Sequence, residues 1–143
     1  MLIRPYLPED EHALIALWRD CGLLRPWNDP RRDIRRKLQV QPELLLVGLI
    51  DATIVASVMA GYEGHRGWIN YLAVAPTFQC QGLGRRMMAE AERLLGARGC
   101  PKINLQVRAD NRDVIEFYRR LGYAADEVVS LGKRLLRDPP PSA

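Results

Sequence analysis

The chain predicts a single α/β domain, more closely described as α+β. It has a central mixed sheet, mostly antiparallel, with one parallel β-α-β crossover and helices flanking it. Three observations predict this architecture. Two apolar runs, Glu43 to Asp51 and Ile54 to Tyr62, are joined by the tight reversal Asp51-Ala52-Thr53, which makes them an antiparallel hairpin. Ile69 to Val74, a long helical pattern, and Ile103 to Val107 then follow in the order strand, helix, strand, which requires a right-handed parallel crossover. Apolar residues recur at helical spacing elsewhere, as in Leu14, Leu17, Trp18 and Cys21, and such stripes need a sheet face to cover.

At 143 residues the chain has the size of one domain and enough length to bury a core. Its 48% hydrophobic and 27% charged content is that of a globular protein, and no apolar run approaches the ~18–20 residues a bilayer span needs. We therefore expect no membrane partner. The start Met1-Leu2-Ile3-Arg4-Pro5 lacks a secretory signal pattern. Cys21, Cys80 and Cys100 are odd in number and widely spaced, without CxxC or Cys/His metal spacing. They read as free thiols of a reducing, cytoplasmic compartment, and no metal site is expected. The net charge of +4 suits either nucleic acid or a phosphate-rich ligand. Nucleic-acid binding on an exposed sheet calls for aromatics interleaved with basic residues, and no such stripe occurs, so no nucleic acid is expected.

Taken in order, Leu2 to Tyr6 is a short strand closed by Pro8. Glu9-Asp10-Glu11 places acidic residues in the first turn of a helix, the end where negative charge is favourable, and Gly22 stops it. The loop Leu23-Leu24-Arg25-Pro26-Trp27-Asn28-Asp29-Pro30 follows, with Trp27 either packed over the core or lining an acceptor pocket. A short basic helix carries Arg31, Arg32, Arg35, Arg36 and Lys37, read first as a solvated face and second as a docking patch for an acidic partner. After the hairpin, the glycine-rich turn Gly61 to Gly67 carries Glu63, His65 and Arg66. The strand Ile69 to Val74 ends at Ala75-Pro76, since a proline cannot donate to a ladder. Leu83, Met87, Ala91, Leu94 and Leu95 form the stripe of a long helix ending near Arg98-Gly99. Ile103, Leu105 and Val107 alternate with polar residues as a half-exposed strand. Asp110-Asn111 caps another helix, with Val114, Phe117, Tyr118 and Leu121 on one face and Gly122 at its end. Val128 to Leu136 reads as a last strand. Positions 1–137 are expected to form the domain, and 138–143, with three consecutive prolines, a disordered Pro-rich tail.

The stretch with the most chemistry is Gln79-Cys80-Gln81-Gly82-Leu83-Gly84-Arg85-Arg86, between a strand and a helix. A glycine-containing loop feeding a helix leaves the first backbone N–H groups unpaired, at the positive end of the dipole, as a site for phosphate oxygens. Gly82 and Gly84 let an anion approach the backbone, and Arg85 and Arg86 add positive charge. The P-loop pattern fails, because Arg85 and Arg86 follow Gly84 instead of a Lys and a Ser or Thr. The dinucleotide pattern fails at Met87, where a third small residue is needed. What Gln79-x-x-Gly82-x-Gly84 resembles is the Q/R-x-x-G-x-G/A signature of the GCN5-related N-acetyltransferase (GNAT) family. A second segment, Asn111-x-x-Val114-x-x-Phe117-Tyr118-x-x-x-Gly122-Tyr123, is similar to the family's N-x-x-A-x-x-F-Y-x-x-x-G-F. It departs at Val114 and Tyr123. The order of elements also matches along nearly the whole chain. The loops 23–30 and 61–67 look like those of small bacterial YpeA-like acetyltransferases.

The resemblance implies that the two crossover strands splay apart and that acetyl-CoA lies in the gap as cosubstrate. Its pantetheine arm would meet the backbone of Leu72, Ala73 and Val74, and Asn111 would contact the arm. Its pyrophosphate would lie on Gln79, Cys80, Gln81, Gly82, Leu83, Gly84 and Arg85. Tyr118 would contact the cosubstrate and give its proton to the departing sulfur. The resemblance implies transfer to a primary amine of a small molecule or a peptide, by direct attack in a ternary complex, by a monomer or a homodimer. A backbone N–H of the splayed strand, that of Val74, can polarise the thioester carbonyl. Glu63 and His65 are the candidate bases, since His titrates near neutral pH and Glu can draw a proton through water. Either can instead bind a substrate ammonium or hold the loop. Trp27, Glu63 and Tyr71 are candidates to line the acceptor site, and Tyr71 and Trp68 can equally belong to the core. Cys80 sits too near the pyrophosphate to act as an acyl carrier. The rival reading is a non-catalytic acyl-CoA sensor that regulates a partner, for which Tyr118 would be superfluous.

Overall fold

The computed structural model describes residues 1–139. Five strands form one sheet in sequence order: β1 (Leu2–Pro5), β2 (Leu45–Ile50), β3 (Thr53–Tyr62), β4 (Gly67–Val74) and β5 (Ile103–Leu105). The first four pair antiparallel, and β4 pairs parallel with β5. The helices are α1 (Glu11–Asp20), α2 (Pro30–Leu38), α3 (Leu83–Ala97) and α4 (Arg112–Arg120). The expected fold class and the crossover through α3 are therefore present.

Alternation along the strands divides the core into two layers. Leu45 and Val47 of β2 point to one face, where Leu14, Leu17 and Trp18 of α1 and Ile34 of α2 cover them. Leu46 of β2 and Val58 and Ala60 of β3 point to the other, beneath Met87, Met88 and Leu95 of α3. The β2–β3 hairpin closes through Asp51 and Ala52, both at positive φ (49° and 61°), the geometry whose twist suits a two-residue loop. Asp29 caps α2 by accepting from the Arg31 N–H, and Asn111 caps α4 by accepting from that of Val114. The helix α1 begins two residues later than its acidic run suggests, because Pro8–Asp10 forms a single 3₁₀ turn. The basic face of α2 is exposed at Arg31, Arg32, Arg35 and Arg36, while Lys37 is folded inward.

Two expectations for the C-terminal part need correction. Val128 to Leu136 forms no strand. Val128, Val129, Leu131 and Leu135 are exposed, and the segment is fastened by side chains, with Ser130 Oγ on Gln106 Nε2 and Arg134 Nη1 on the carbonyl of Trp27. High β-propensity does not make a strand unless a neighbour supplies a ladder, and β5 offers an edge of only three residues. Asp138, assigned to the disordered tail, is 4% exposed. It accepts from Arg36 Nη1 (3.1 Å) and Nη2 and from the backbone N–H of Asp29 (2.9 Å). Those bonds, chiefly that to Arg36, hold its carboxyl down at about 2. The rest of the proposed tail, 140–143, lies outside the described residues.

Candidate active site

The site begins where β4 and β5 part. Their parallel register runs only from Gly67↔Ile103 to Ile69↔Leu105, and β4 continues alone on that side to Val74. At the point of separation β4 carries one extra residue. Ser57 pairs with Ala73 and Met59 with Asn70, so Val58 faces both Tyr71 and Leu72. Tyr71 takes up the bulge at φ +52°, a conformation that costs a bulky side chain of order 1–3 kcal/mol unless its surroundings enforce it. Leu72, Ala73 and Val74 follow the bulge along the open side.

The next elements form the phosphate loop. Gln79 turns back to donate from Nε2 to the Val74 carbonyl (3.0 Å), tying the loop to the end of β4. Cys80 and Gly82 both have positive φ (61° and 80°), which folds the loop tightly before α3. Gln81, Cys80 and Arg85 are exposed, whereas Leu83 is buried and anchors the turn. Unlike α2 and α4, α3 has no side-chain cap and no acidic residue in its first turn. The first bond into the helix runs from Arg86 N to Gly82 O, so the N–H groups before it have no partner within the helix. An uncapped fifteen-residue helix with a glycine at its tip fits a pyrophosphate. Gly84 has a different reason. A Cβ there would sit 3.1 Å from Phe117 Cζ, so glycine lets α3 and α4 meet closely. Arg86 is already engaged, donating to the Met1 carbonyl (2.9 Å).

Helix α4 closes the site from the other side. Asn111 is spent on its helix cap, with its side-chain oxygen on the Val114 N–H. Phe117 reaches across to Gly84, and Tyr118 beside it stands edge-on to Phe117 and to Tyr123 (centroids 5.1 and 5.6 Å). Tyr118 is 8% exposed and lines a groove of about 1340 Å³ bordered by β5, α4 and the segment after it. Burial alone pushes its phenol up to about 12, so the proton stays on oxygen throughout the neutral range. Tyr123 is fixed by donating to Glu92 Oε2 (2.8 Å).

Of the acceptor-side candidates, Tyr71 is brought to the splay and Trp27 is exposed in the α1–α2 loop. Glu63 and His65 are not brought there. They sit in the β3–β4 turn, at the end of β4 opposite Val74, and an eight-residue strand spans about 25 Å. Glu63 Oε1 accepts from the backbone N–H groups of His65 (2.6 Å) and Arg66, which pull its carboxyl below the usual range, so it serves the turn. Trp68 is 37% exposed, on the wall of the groove. Sequence reasoning missed Ser57, Trp18 and Asp33. Trp18 Nε1 donates to Ser57 Oγ (2.9 Å), Ser57 donates to the Tyr71 carbonyl (2.8 Å), and the Tyr71 hydroxyl donates to Asp33 Oδ2 (2.6 Å). Trp18 and Tyr71 also stack at 3.8 Å. No sequence signal marks these residues, since Trp18 and Ser57 follow the core pattern and Asp33 lies within a basic run.

A splayed parallel pair and an uncapped helix tip, flanked by a buried phenol, are the marks of an acyl-CoA-using transferase fold. The comparisons agree. The model of the acetyltransferase (GNAT) family matches residues 11–123, and the chain belongs to that family. An acetyltransferase of Yersinia pestis and one of Pectobacterium atrosepticum are each 49% identical over 138 residues, covering 96% of this chain and 98% of theirs. Among solved structures, AAC(6')-Iy in complex with the bisubstrate analogue CoA-S-monomethyl-acetylneamine superposes with a TM-score of 0.76. It has 17% identity, with 93% of this chain and 97% of that one covered. The ribosomal-protein-S18-alanine N-acetyltransferase of Escherichia coli gives 0.71 at 24% identity, covering 85% and 76%. These two likenesses speak to the fold. As a family member the chain is an acetyl-CoA-dependent acyltransferase. No helix among the described residues is long and apolar enough to cross a membrane.

Proposed function

We propose that the chain transfers the acetyl group of acetyl-CoA to a primary amine of a small molecule or a peptide, by direct attack within a ternary complex. The observation that carries this reading is the junction at Phe117. Its ring lies 3.1 Å from where a Cβ on Gly84 of the phosphate loop would sit, Val74 of the splayed strand approaches that same point at 3.7 Å, and Tyr118 is its edge-on neighbour at 5.1 Å. In this reading the uncapped N–H groups around Gly82 hold the pyrophosphate, with Arg85 adding charge. The open edge of Leu72, Ala73 and Val74 aligns the pantetheine arm, and the Val74 N–H faces the thioester oxygen. The new N–C bond forms as the C–S bond breaks, and the sulfur takes the Tyr118 proton. A phenol raised by burial is a weak acid but is always loaded at neutral pH. Glu63 and His65 stand too far along the sheet to serve as base, so the amine's proton leaves to water. Asn111 acts by fixing the start of α4 through its side-chain oxygen, rather than by offering that oxygen to the cosubstrate's arm.

The test is acetyl-CoA-dependent thiol release, screened over pooled amines, amino acids, polyamines and peptide N-termini. Amine-stimulated release is expected, slowed in Tyr118→Phe by ~10²–10⁴-fold, the usual range for general-acid assistance. Tight acetyl-CoA binding with no release across broad pools would refute the transferase reading in favour of a sensor.

A further inference from the structure

The bulge at Tyr71 turns β4 away from β5, and its conformation has to be imposed. A non-glycine residue at φ +52° inside a strand persists only where neighbours over-determine it. Three do so here, from three different elements. Trp18 of α1 stacks on the ring, Asp33 of α2 accepts from the hydroxyl, and Ser57 of β3 donates to the carbonyl. The first two hold the side chain. Only Ser57 holds a backbone group, the carbonyl of the Tyr71–Leu72 peptide that leads from the strained residue into the open edge.

Ser57 is an unusual occupant of its position. It is 0% exposed, between Ala56 and Val58, in a strand whose buried neighbours are all aliphatic. Burying a hydroxyl there would cost about 1–3 kcal/mol without partners. It has two, accepting from Trp18 Nε1 and donating to Tyr71 O, so its single proton is directed at the bulge by the indole behind it. A second donor from α1 acts three residues further on, where the Cys21 thiol lies 3.2 Å from the Val74 carbonyl. The open half of β4 is thus pinned at both ends from the α1 side of the sheet.

We infer that Ser57 is a positioning residue for acetyl-CoA: its hydroxyl, aimed by Trp18, fixes the Tyr71 peptide and through it the direction of the Leu72, Ala73 and Val74 backbone. This rests on the function proposed above. Ser57 touches neither the cosubstrate nor the acceptor and acts through the strand. The phosphate loop is built on Gly82 and the first turn of α3 and meets β4 through the Gln79 side chain on the Val74 carbonyl, so it depends on Ser57 far less than the strand does. The two halves of acetyl-CoA therefore respond differently to its loss.

Ser57→Ala removes one oxygen without adding bulk, and Ser57→Cys keeps a weaker donor in a similar volume in case the alanine variant folds poorly. Binding of acetyl-CoA and of adenosine 3′,5′-bisphosphate, which lacks the pantetheine arm, is measured by titration calorimetry on the full chain. Ser57→Ala is expected to weaken acetyl-CoA about tenfold, the equivalent of one hydrogen bond, and to leave the bisphosphate within about twofold. Ser57→Cys should fall between. Amide exchange of Leu72, Ala73 and Val74 should quicken while that of Leu46 and Val47 in β2 does not. Equal weakening of both ligands, or exchange rising everywhere together, would show a merely structural residue and overturn the inference. So would unchanged acetyl-CoA affinity. A wild-type chain that binds neither ligand would refute the proposed function itself, and this inference with it.

Discussion

Replacing Tyr71 by Phe deletes a single hydroxyl and keeps the ring that stacks on Trp18. The lost contact is a 2.6 Å hydrogen bond to Asp33 Oδ2, the short geometry of a charge-assisted pair. Hydrogen bonds to charged groups contribute about 1.5–3 kcal/mol. Two features place this one at the lower end. Tyr71 is only partly buried, and Asp33 keeps Arg36 on its other oxygen (3.1 Å), so its carboxylate is not stranded. The expected loss is about 1.5 kcal/mol, or a drop of ~0.7 M in the urea midpoint at a slope near 2 kcal/mol/M. The bond is isolated by a double-mutant cycle with Asp33→Ala in urea unfolding, expected to show ~1 kcal/mol of coupling. Additivity within about 0.3 kcal/mol would refute the claim that this bond fastens α2 to the sheet.

The same residue has a pH signature. Burial first, and then Asp33, raise the Tyr71 phenol above its ordinary value near 10. The folded state therefore favours the protonated form. Its contribution is complete below pH ~10 and is lost as pH rises beyond that. Tyr71→Phe should accordingly show a shallower alkaline fall in stability than the wild type.

Two further outcomes are expected. In Gly84→Ala the new Cβ meets the Phe117 ring at 3.1–3.2 Å. Overpacking of about 1–3 kcal/mol then outweighs a helix-propensity gain of up to ~1 kcal/mol, lowering stability, and thiol release slows because Phe117 and Tyr118 move together. Thermal unfolding alongside thiol release checks this, and a stabilised, fully active variant would contradict the close α3–α4 contact. Glu63→Gln weakens the two backbone bonds of the β3–β4 turn but lies far from the splay, so thiol release should stay within about twofold. A loss beyond about tenfold would restore Glu63 as a candidate base.

Much of this molecule is legible along the chain, because the signals concerned are local. Asp29 and Asn111 as caps, Gly22 and Gly122 as stops, the reversal at Asp51-Ala52 and the helical stripe from Leu83 to Leu95 each depend on neighbours within about one turn. So does the phosphate loop, whose donors are free because of what Gly82 and the first turn of α3 lack. These local signals, in their order, determined the element sequence, the crossover and the family. Tertiary structure decided the rest. A strand exists only if another backbone pairs with it, so Val128 to Leu136 has the composition of a strand without being one. Where β4 parts from β5 depends on the pairing across the sheet, which ends at Ile69 and so opens the edge at Leu72 to Val74, away from Glu63 and His65. The bulge at Tyr71 is set by Trp18, Asp33 and Ser57, which are 53, 38 and 14 residues away in sequence. No periodicity links such positions, because their contact is made only when α1 and α2 close over the face of the sheet.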